Sequence, residues 1–510
     1  MSKEKKYVLY GLIVILIAAL GTTLAYFVAN IVGDRKPISV NATNLKITFN
    51  KGDDGSIEAS DIEPGSLDIT KTFSITNETN TDYSYNLIFK DYINTFKTTG
   101  FLVYKVTSTN GGYNMTDFTD MPKLSSTGKT ILGYNINLPA NGTHNYTIQI
   151  KYLSSDTVDQ SDDMEKEVSG KIYAEEGTNP TLAQAILRDN TTIKERTDFS
   201  VTNTETTTGT IYKTNKTEDG SDVYYYSGNT TNNWVYFGGF YWRIIRTNED
   251  GSIRILYSGT SHDTTEGYIR ISAFNSSRND PMYSGYMYGT SGSLTNNRTN
   301  TNDSTIKTAI DTWYKNNILN NYDKYISKTT IYCNDRSVSS SSYSSATFYY
   351  GGYTRLASNK TPSYKCGANA SNGLFESTQA TADKFSASTE GGGNGQLKYP
   401  IALMTADEIS FAGGVYGTEL SSPYPWYYTN SASGSITGSK YWWLLSSSDW
   451  NGSYSYVFHV IGSNNPGNLR SSFVNNSGAV RPVVSLASCA QITGTGTATN
   501  PYEIDEGSCS

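Results

Sequence analysis

A cluster of aromatic, amide and hydroxyl side chains near the C-terminus has the residue types that bind sugars. Its members are Ser447, Ser448, Asp449, Trp450, Tyr454, Tyr456, Asn464, Asn465, Asn468 and Asn475. An aromatic ring stacks on the apolar face of a pyranose, while amides and hydroxyls exchange hydrogen bonds with the sugar hydroxyls. We therefore predict a ligand-binding surface here, and we expect the neighbouring Trp442 and Trp443 in the core. The alternative is that a chain with 41 Tyr residues forms such a cluster without any binding role.

The chain offers little material for catalysis. Its three histidines, His144, His262 and His459, each stand alone in their segment, so neither a metal triad nor a Ser-His-Asp relay is predicted. The glycine-rich run at 391–395 follows polar residues and precedes no predicted helix, which does not fit a phosphate-binding loop. We expect a protein that is not an enzyme and that has no catalytic residues, no metal site and no cofactor.

Four cysteines, Cys333, Cys366, Cys489 and Cys509, lack the close spacing of a zinc knuckle or a redox pair. Three pairings of two disulfides exist. We predict Cys333 with Cys366 and Cys489 with Cys509, because each bond then joins neighbours across a polar loop. Closing such loops stabilises a fold by about 3 kcal/mol each in the chain-entropy model.

Length and charge limit the class of protein. A chain of 510 residues predicts two or three domains. The net charge is −7, and no stripe of Lys and Arg runs along the sequence, which excludes a nucleic-acid partner. Only 17% of the residues are charged, so most of the surface polarity is uncharged, as is typical of proteins outside the cell.

The N-terminal segment 1–36 predicts a membrane anchor. Residues 7–32 carry no charge, which is long enough for a helix to cross a bilayer core of about 30 Å. Lys3, Lys5 and Lys6 precede this run and favour an internal N-terminus, so we predict a single-pass cell-membrane protein with an extracellular C-terminal ectodomain. The alternative is a cleaved signal with a site near Ala25, which would give a secreted protein.

Residues 37–176 predict an antiparallel β-sandwich of the immunoglobulin-like or jelly-roll kind. Apolar and polar residues alternate at 45–49, 83–89 and 146–152, and Gly, Pro, Asn and Asp mark turns between these runs. This segment resembles the TasA and camelysin type of exported domain, through Gly-Thr-Thr-Leu-Ala-Tyr-Phe at 21–27 and Pro64-Gly65 before Lys-Thr-Phe-Ser-Ile-Thr-Asn at 71–77. The resemblance implies self-association through the sandwich. It does not carry over a peptidase activity, because no cluster of metal ligands appears here.

A linker at 177–211 with a short helix at 181–188 precedes an α+β module at 212–510. We predict strands at 234–246, 253–257, 399–404, 441–446, 457–460 and 479–486. Asn248 to Gly251 is the predicted turn of the first hairpin. Ser304 caps a helix whose apolar face includes Trp313, and Thr405 with Glu408 has the spacing of a capping box.

Five segments of this module together resemble a domain family of unknown function that occurs in surface proteins of gut Firmicutes. They are Phe-Tyr-Trp-Arg-Ile at 240–244, the helix with Trp313, Met-Thr-Ala-Asp-Glu at 404–408, Tyr-Trp-Trp-Leu-Leu-Ser at 441–446 and Gly-Ala-Val-Arg-Pro-Val at 478–483. That family is similar in pattern to the C-type-lectin-like fold of formylglycine-generating-enzyme relatives. The resemblance implies a compact platform whose irregular loops bind a ligand.

The resemblance does not supply a metal site or a catalytic cysteine. Residues 449–452 match only part of the Trp-Asn-Asp calcium motif of C-type lectins, and no Glu-Pro-Asn partner occurs. Calcium held by scattered carboxylates stays an open alternative. The surroundings of Cys333 and Cys366 do not match the cysteine site of the formylglycine-generating relatives.

These features predict a membrane-tethered bacterial cell-surface protein that presents a lectin-like recognition module for adhesion to a glycan or a surface protein. One alternative is a structural fibre or matrix component of the cell envelope, as the TasA resemblance implies. Another is a ligand-binding protein diversified by a retroelement, because residues 449–476 are rich in Asn, Tyr, Ser and Asp.

Overall fold

The computed structural model describes residues 39–42, 45–50, 53–338, 347–367, 383–388 and 393–509. The chain divides between Thr178 and Asn179 into two compact units, and both are mainly β. The predicted anchor, residues 1–36, lies outside the described residues. Within the described part of the chain, no helix has the length and apolarity needed to cross a membrane.

The first unit contains two antiparallel sheets. Its strands are β1 Ser39–Ala42, β2 Leu45–Phe49, β3 Ser56–Ser60, β4 Leu67–Asn77, β5 Tyr83–Asn94, β6 Leu102–Ser108, β7 Thr119–Asp120, β8 Leu124–Leu138, β9 Thr143–Tyr152 and β10 Glu167–Glu176, with a 3-10 turn at Ser161–Asp163. One sheet has the strand order β1-β2-β4-β9-β6-β7 and the other β3-β10-β5-β8. Every ladder in both sheets is antiparallel.

Alternation of apolar and polar residues builds the core of this unit. In β2 and β9 every second side chain is buried, because successive side chains of a strand point to opposite faces. Ile47 of one sheet and Phe89 of the other belong to the same apolar cluster, so the two sheets pack on one shared core. The structure thus confirms the antiparallel sandwich and the alternating runs at 45–49 and 146–152. The run at 83–89 forms a strand, but Tyr85 through Phe89 are all buried, so the predicted half-buried alternation is wrong there.

The second unit contains shorter strands. They are β11 Thr192–Glu195, β12 Thr206–Thr207, β13 Thr210–Thr214, β14 Val223–Tyr225, β15 Asn229–Thr230, β16 Trp234–Phe237, β17 Phe240–Thr247, β18 Ile253–Tyr257, β19 Arg270–Ala273, β20 Met287–Tyr288, β21 Asn302–Asp303, β22 Tyr332–Cys333, β23 Phe348–Tyr349, β24 Lys384–Ser386, β25 Gly395–Gln396, β26 Ala402–Leu403, β27 Trp442–Trp450, β28 Ser455–Val460, β29 Leu469–Phe473, β30 Ser477–Val480, β31 Pro482–Leu486, β32 Ile492–Thr493 and β33 Tyr502–Ile504. The helical segments are Leu182–Asp189, Pro281–Ser284, Leu294–Asn297, Thr305–Asn317, Asp323–Tyr325, Gly351–Tyr353, Thr354–Ser358 and Ala406–Phe411.

Two large sheets organise the second unit. A ten-stranded sheet runs β11-β13-β14-β17-β16-β33-β32, with β18, β31 and β26 branching from β17. A six-stranded sheet runs β19-β30-β27-β28-β29, and β23 also pairs with β27. Side chains from both sheets, including Trp242 and Trp443, share one apolar cluster.

Most of the segment predicted as a linker, 177–211, belongs to the second unit, which begins at Asn179. Its helix, Leu182–Asp189, begins after Thr181, whose side chain forms a capping box with Gln184. Leu182, Ala185 and Ile186 are buried in the core of the second unit. The apolar face of this helix needs a surface to cover it, which is why the segment does not remain a free connection.

Two predicted strands are each divided in two. The run at 234–246 turns back at Gly238 and Gly239, whose φ angles of 63° and 83° suit the tight hairpin turn that only glycine adopts easily. The run at 479–486 changes sheets at Arg481, since β30 pairs with β19 and β31 pairs with β18. Apolar content predicted the strands but not the points at which they bend.

The two predicted helix starts and both disulfides are confirmed. Ser304 accepts a hydrogen bond from the amide of Lys307, and Thr405 forms the predicted capping box with Glu408. The disulfides are Cys333–Cys366 and Cys489–Cys509, with Cα atoms 5.6 and 5.5 Å apart.

Candidate functional site

Four side chains form a row across four neighbouring strands of the six-stranded sheet. Tyr349 of β23 is opposite Asp449 of β27, Asp449 is opposite Tyr456 of β28, and Tyr456 is opposite Phe473 of β29. Directly opposite residues of an antiparallel ladder project from the same face of the sheet. The four side chains therefore share one face, and we call them the aromatic row.

The reverse face of the same strands is closed. Phe348, Trp450 and Ser455 occupy the next positions along β23, β27 and β28, and all three are buried. By contrast, Tyr349 is 43% exposed and the other three members of the row are partly exposed. The pleat of the strands therefore separates a core face from a face that solvent reaches.

Aromatic contacts hold the side chains of the row in place. The ring centroids of Tyr456 and Phe473 lie 4.6 Å apart, and those of Tyr454 and Phe473 lie 5.3 Å apart. The Arg278 guanidinium lies 4.0 Å from the Tyr454 ring centroid and 4.5 Å from that of Phe473. At the other end, Tyr349 stacks on Tyr353 at 4.3 Å. Ring contacts and cation–π attraction thus preorganise the surface.

Asp449 is the carboxylate within the row. Burial raises its pKa to about 6, although a hydrogen bond from the Ser448 hydroxyl acts in the opposite direction. Ser448 Oγ donates to Asp449 Oδ2 over 2.8 Å. Above pH 6 the group is an ionised acceptor between aromatic rings, which is suited to receive hydrogen bonds from hydroxyl groups.

The structure brings together only part of the predicted cluster. Asp449, Tyr454 and Tyr456 lie at the row, and Asn475 is exposed two residues after Phe473. Asn464 and Asn465 are exposed in the loop after Val460. This loop follows the last residue of β28, whereas Tyr454 precedes the first. These two amides therefore belong to a different edge of the sheet.

The other predicted members are buried. Ser447 donates to the carbonyl of Ser284 over 2.9 Å, and Ser448 and Asn468 are also buried. Trp450 packs with Val338, Phe348 and Tyr350. These side chains support the sheet from within and leave no ring or amide for a ligand. Trp442 and Trp443 are buried in the core, as predicted.

A charged cavity is the second candidate site of this unit. Its volume is about 210 Å³. We call the six buried charged residues of its lining the floor, and they are Arg246, Arg254, Arg355, Asp335, Asp407 and Glu408. Arg254 Nη1 lies 2.7 Å from Glu408 Oε1, and Arg246 Nε lies 3.4 Å from the same oxygen. Burial alone would raise the pKa of Glu408, but attraction to both arginines lowers it below its ordinary value.

The other half of the floor is a similar network. Arg355 Nε and Nη2 each lie 2.8 Å from a different oxygen of Asp407. Arg355 Nη1 reaches Asp335 over 3.1 Å. The disulfide Cys333–Cys366 contributes to the wall. Sequence reasoning missed this site, because its groups come from two strands, a loop and two helical segments that are far apart in the chain. It assigned Glu408 only a capping role.

Two arginines of the motifs that carried the family resemblance have a purely structural environment. Arg243 lies 4.1 Å over the Trp234 ring and donates to the carbonyl of Thr230. Arg481 donates to the carbonyls of Tyr257 and Tyr427, and burial lowers its pKa to about 9. These guanidinium groups tie loops together through backbone carbonyls.

The three histidines lie in three different surroundings. His144 Nδ1 is 2.9 Å from the Tyr85 hydroxyl, and His262 Nδ1 is 2.6 Å from Ser431 Oγ. Burial, with a smaller effect of Arg470, lowers the pKa of His459 to about 3. Among the described residues, no group of three His, Cys, Asp or Glu side chains is arranged to hold a metal ion.

Comparison with known proteins leaves the family open. No protein-family model matches the chain, and no curated protein matches it. A structure of infectious bursal disease virus Gx strain is similar over 29% of this chain and 35% of its own, with 16% identity and a TM-score of 0.15. The enzymatically active domain of bacteriophage CBA120 tailspike protein 4 is similar over 27% and 20%, with 10% identity and a TM-score of 0.13. The chain thus spans about a third or less of these proteins, and TM-scores this low carry no conclusion about its fold or function.

Proposed function

We propose that this chain is a membrane-tethered bacterial cell-surface protein whose second unit recognises a glycan through the aromatic row. The observation that carries the proposal is the register that sets Tyr349, Asp449, Tyr456 and Phe473 side by side on the open face of one sheet. Rings flanking a carboxylate are the groups that a sugar needs from a protein.

The spacing of the row suits a saccharide. Neighbouring strands lie about 4.8 Å apart, so successive members of the row are separated by about the width of one sugar ring. A pyranose seated on Tyr456 and Phe473 would bring its hydroxyls to Asp449, which accepts their hydrogen bonds. Aromatic stacking contributes apolar contact at little entropic cost, because the rings already pack on one another.

The cell-surface part of the proposal rests on the sequence of residues 1–36. Its uncharged run and preceding lysines favour an external ectodomain. Protease treatment of intact cells expressing the full chain tests this point. Loss of the ectodomain, with an N-terminal fragment kept in the membrane, is expected; full protection contradicts the tether and its orientation.

A glycan array probed with the full chain, with and without calcium, tests recognition. We expect saturable binding that Tyr456→Ala abolishes and that Tyr236→Ala preserves. Tyr236 is a matched control, since it is a 37% exposed tyrosine of β16 that contacts Tyr241 and lies outside the row.

Two results would contradict glycan recognition by the row. Equal loss of glycan binding in both variants would show that any exposed tyrosine contributes. If the wild-type protein binds no glycan on the array, a protein ligand is favoured. Concentration-dependent oligomers in size-exclusion chromatography would instead support the structural alternative, in which the first unit assembles a fibre.

A further inference from the structure

We propose that the charged cavity of the second unit is a separate binding site for a small organic cation that also has a hydrogen-bond acceptor, such as an amino sugar or an amino alcohol. This site goes beyond glycan recognition at the aromatic row. It shares none of the four residues of the row, so either site could bind without the other.

The charge of the lining favours a cation. Besides the three carboxylates and three arginines of the floor, the cavity is lined by Glu218, Asp219, Glu249 and Asp250, with Lys365 as the fourth cation. Seven carboxylates therefore face four cations. Because the floor groups already pair with one another, the excess negative charge lies toward the rim, where a ligand would enter.

Glu249 is a rim carboxylate with long contacts. Its Oε2 lies 3.4 Å from Arg246 Nη1, and its Oε1 receives the amide of Glu218 over 3.3 Å, so both contacts are long. Glu218, by contrast, receives Lys384 Nζ over 2.7 Å. Asp250 receives the hydroxyls of Ser327 and Thr329. Glu249 therefore retains acceptor capacity for a ligand cation.

Buried polar atoms in the lining point to the rest of the ligand. Asn248 is 7% exposed and Tyr364 is 9% exposed, and neither Asn248 Oδ1 nor the Tyr364 hydroxyl has a hydrogen-bond partner among the described residues. The Nε–H of Arg254 also lacks one. A buried polar group without a partner costs free energy that a ligand recovers. All three residues line the cavity. We expect side-chain adjustment on binding to bring the acceptors to an ammonium group, and the arginine to a hydroxyl oxygen of the same molecule.

Calorimetric titration of the full chain at pH 6.5 and low salt tests this site with glucosamine and glucose. These two sugars have the same ring and differ at one position, where an ammonium replaces a hydroxyl. We expect glucosamine to bind at least about tenfold more tightly than glucose, and its affinity to fall as salt screens the rim charges. Ethanolamine extends the test to a smaller cation that keeps a hydroxyl group, and glucuronate serves as the anion.

Three variants locate the binding. Glu249→Gln should weaken glucosamine binding about tenfold. Glu195→Gln, which removes the same charge at an exposed residue outside the cavity whose ion pair with Lys213 spans 3.7 Å, should leave it unchanged. Tyr456→Ala should also leave it unchanged, which separates this site from the aromatic row.

The proposal is overturned if neither glucosamine nor ethanolamine binds saturably, if glucose or glucuronate binds as tightly as glucosamine, or if Glu249→Gln has no effect. Loss of glucosamine binding in Tyr456→Ala with retention in Glu249→Gln would assign the amine to the row. None of these results decides whether the wild-type chain binds glycans on the array, so the two proposals are tested separately.

Discussion

The aromatic row and the charged cavity belong to the same unit, yet they are built in opposite ways. The row arises because neighbouring strands pair in one register. Two of its members, Asp449 and Tyr456, and the supporting Tyr454 are close together in the sequence. The cavity floor instead joins β17, β18, the loop with Asp335, the helical segment Thr354–Ser358 and the first turn of the helix Ala406–Phe411. Residues that share one hairpin are close in sequence, whereas a site assembled from distant segments has no local pattern.

The two regions also differ in how much they contribute to stability. In the cavity, Glu408 is the shared partner of two buried arginines. Removing its charge leaves these guanidinium groups buried without their shared carboxylate, which is unfavourable. In the row, Asp449 is partly exposed and its burial opposes ionisation. We therefore expect substitutions in the cavity floor to destabilise the fold, and substitutions in the row to affect binding.

The largest expected effect is that of Glu408→Gln. It should lower the free energy of unfolding of the second unit by about 3–5 kcal/mol, because Arg254 and Arg246 lose their shared carboxylate. Urea titration followed by tryptophan fluorescence measures this unit alone, since all seven Trp residues follow residue 178. Glu205→Gln, at an exposed ion pair with Lys194, is the control and should cost less than about 1 kcal/mol. Similar costs for the two variants would remove the distinction between buried and exposed charges.

Removal of either disulfide should lower the stability by a similar amount, but only one removal should affect the cavity. Replacing either pair by serines should lower the free energy of unfolding by about 3–4 kcal/mol in the loop-entropy model, for sequence separations of 33 and 20 residues. Only Cys333–Cys366 lines the cavity, so only its removal should weaken glucosamine binding. Calorimetric titration of both variants with glucosamine, at a temperature where each is folded, measures this difference. Equal affinities would show that the disulfide Cys333–Cys366 does not contribute to the site.

Asp449→Asn should stabilise the protein while it weakens glycan binding. Because burial raises the pKa of Asp449 from 3.8 to about 6, the folded state holds the proton more tightly than the unfolded state. Wild-type stability then decreases as pH rises from about 4 to about 6. The variant lacks this loss and should gain about 1–2 kcal/mol at pH 7, less than the full shift because the side chain is partly exposed.

Urea titrations at two pH values measure this effect of Asp449→Asn. The wild-type and variant proteins should differ much less in their urea midpoints at pH 4, where Asp449 is protonated in the folded state, than at pH 7. A variant that is less stable at pH 7 would show that the carboxylate supports the fold, as the cavity carboxylates do, and would end the contrast between the two regions.

The smallest expected effect concerns the support of the row. Arg278→Ala removes the guanidinium that lies over Tyr454 and Phe473, a contact worth about 0.5–1 kcal/mol at an exposed site. Glycan affinity should fall by about two- to fivefold, measured by titration with the best array ligand. Arg278→Lys should restore part of the loss, and an Arg278→Ala variant with unchanged affinity would show that the rings need no such support.

Local patterns predicted much of the fold. Alternation in 45–49 and 146–152 correctly indicated half-buried strands, since the period of two depends only on the strand itself. Ser304 and Thr405 correctly marked helix starts, because a cap acts within one turn. The pairing of Cys333 with Cys366 was confirmed, as short loops favour neighbouring cysteines.

The candidate site was predicted only in part, because pairing register is a property of two strands at once. The sequence suggested Trp450 and Asp449 equally, yet one position along β27 places the first in the core and the second on the open face. A shift of one residue exchanges the two faces of a strand. Tyr349 and Phe473, which lie 100 and 24 residues from Asp449 along the chain, therefore could not be assigned to the row.

What the sequence by itself determined is what local chemistry controls: the β-rich character, the helix caps and the cysteine pairing. Tertiary structure alone extended the strands to place Asp449 opposite Tyr456 in one hairpin and decided which face of that hairpin is open. It alone brought three arginines and their carboxylates around one cavity. The reason is physical, since propensity and capping act within a few residues. Burial, register and charge pairing exist only after distant segments have packed.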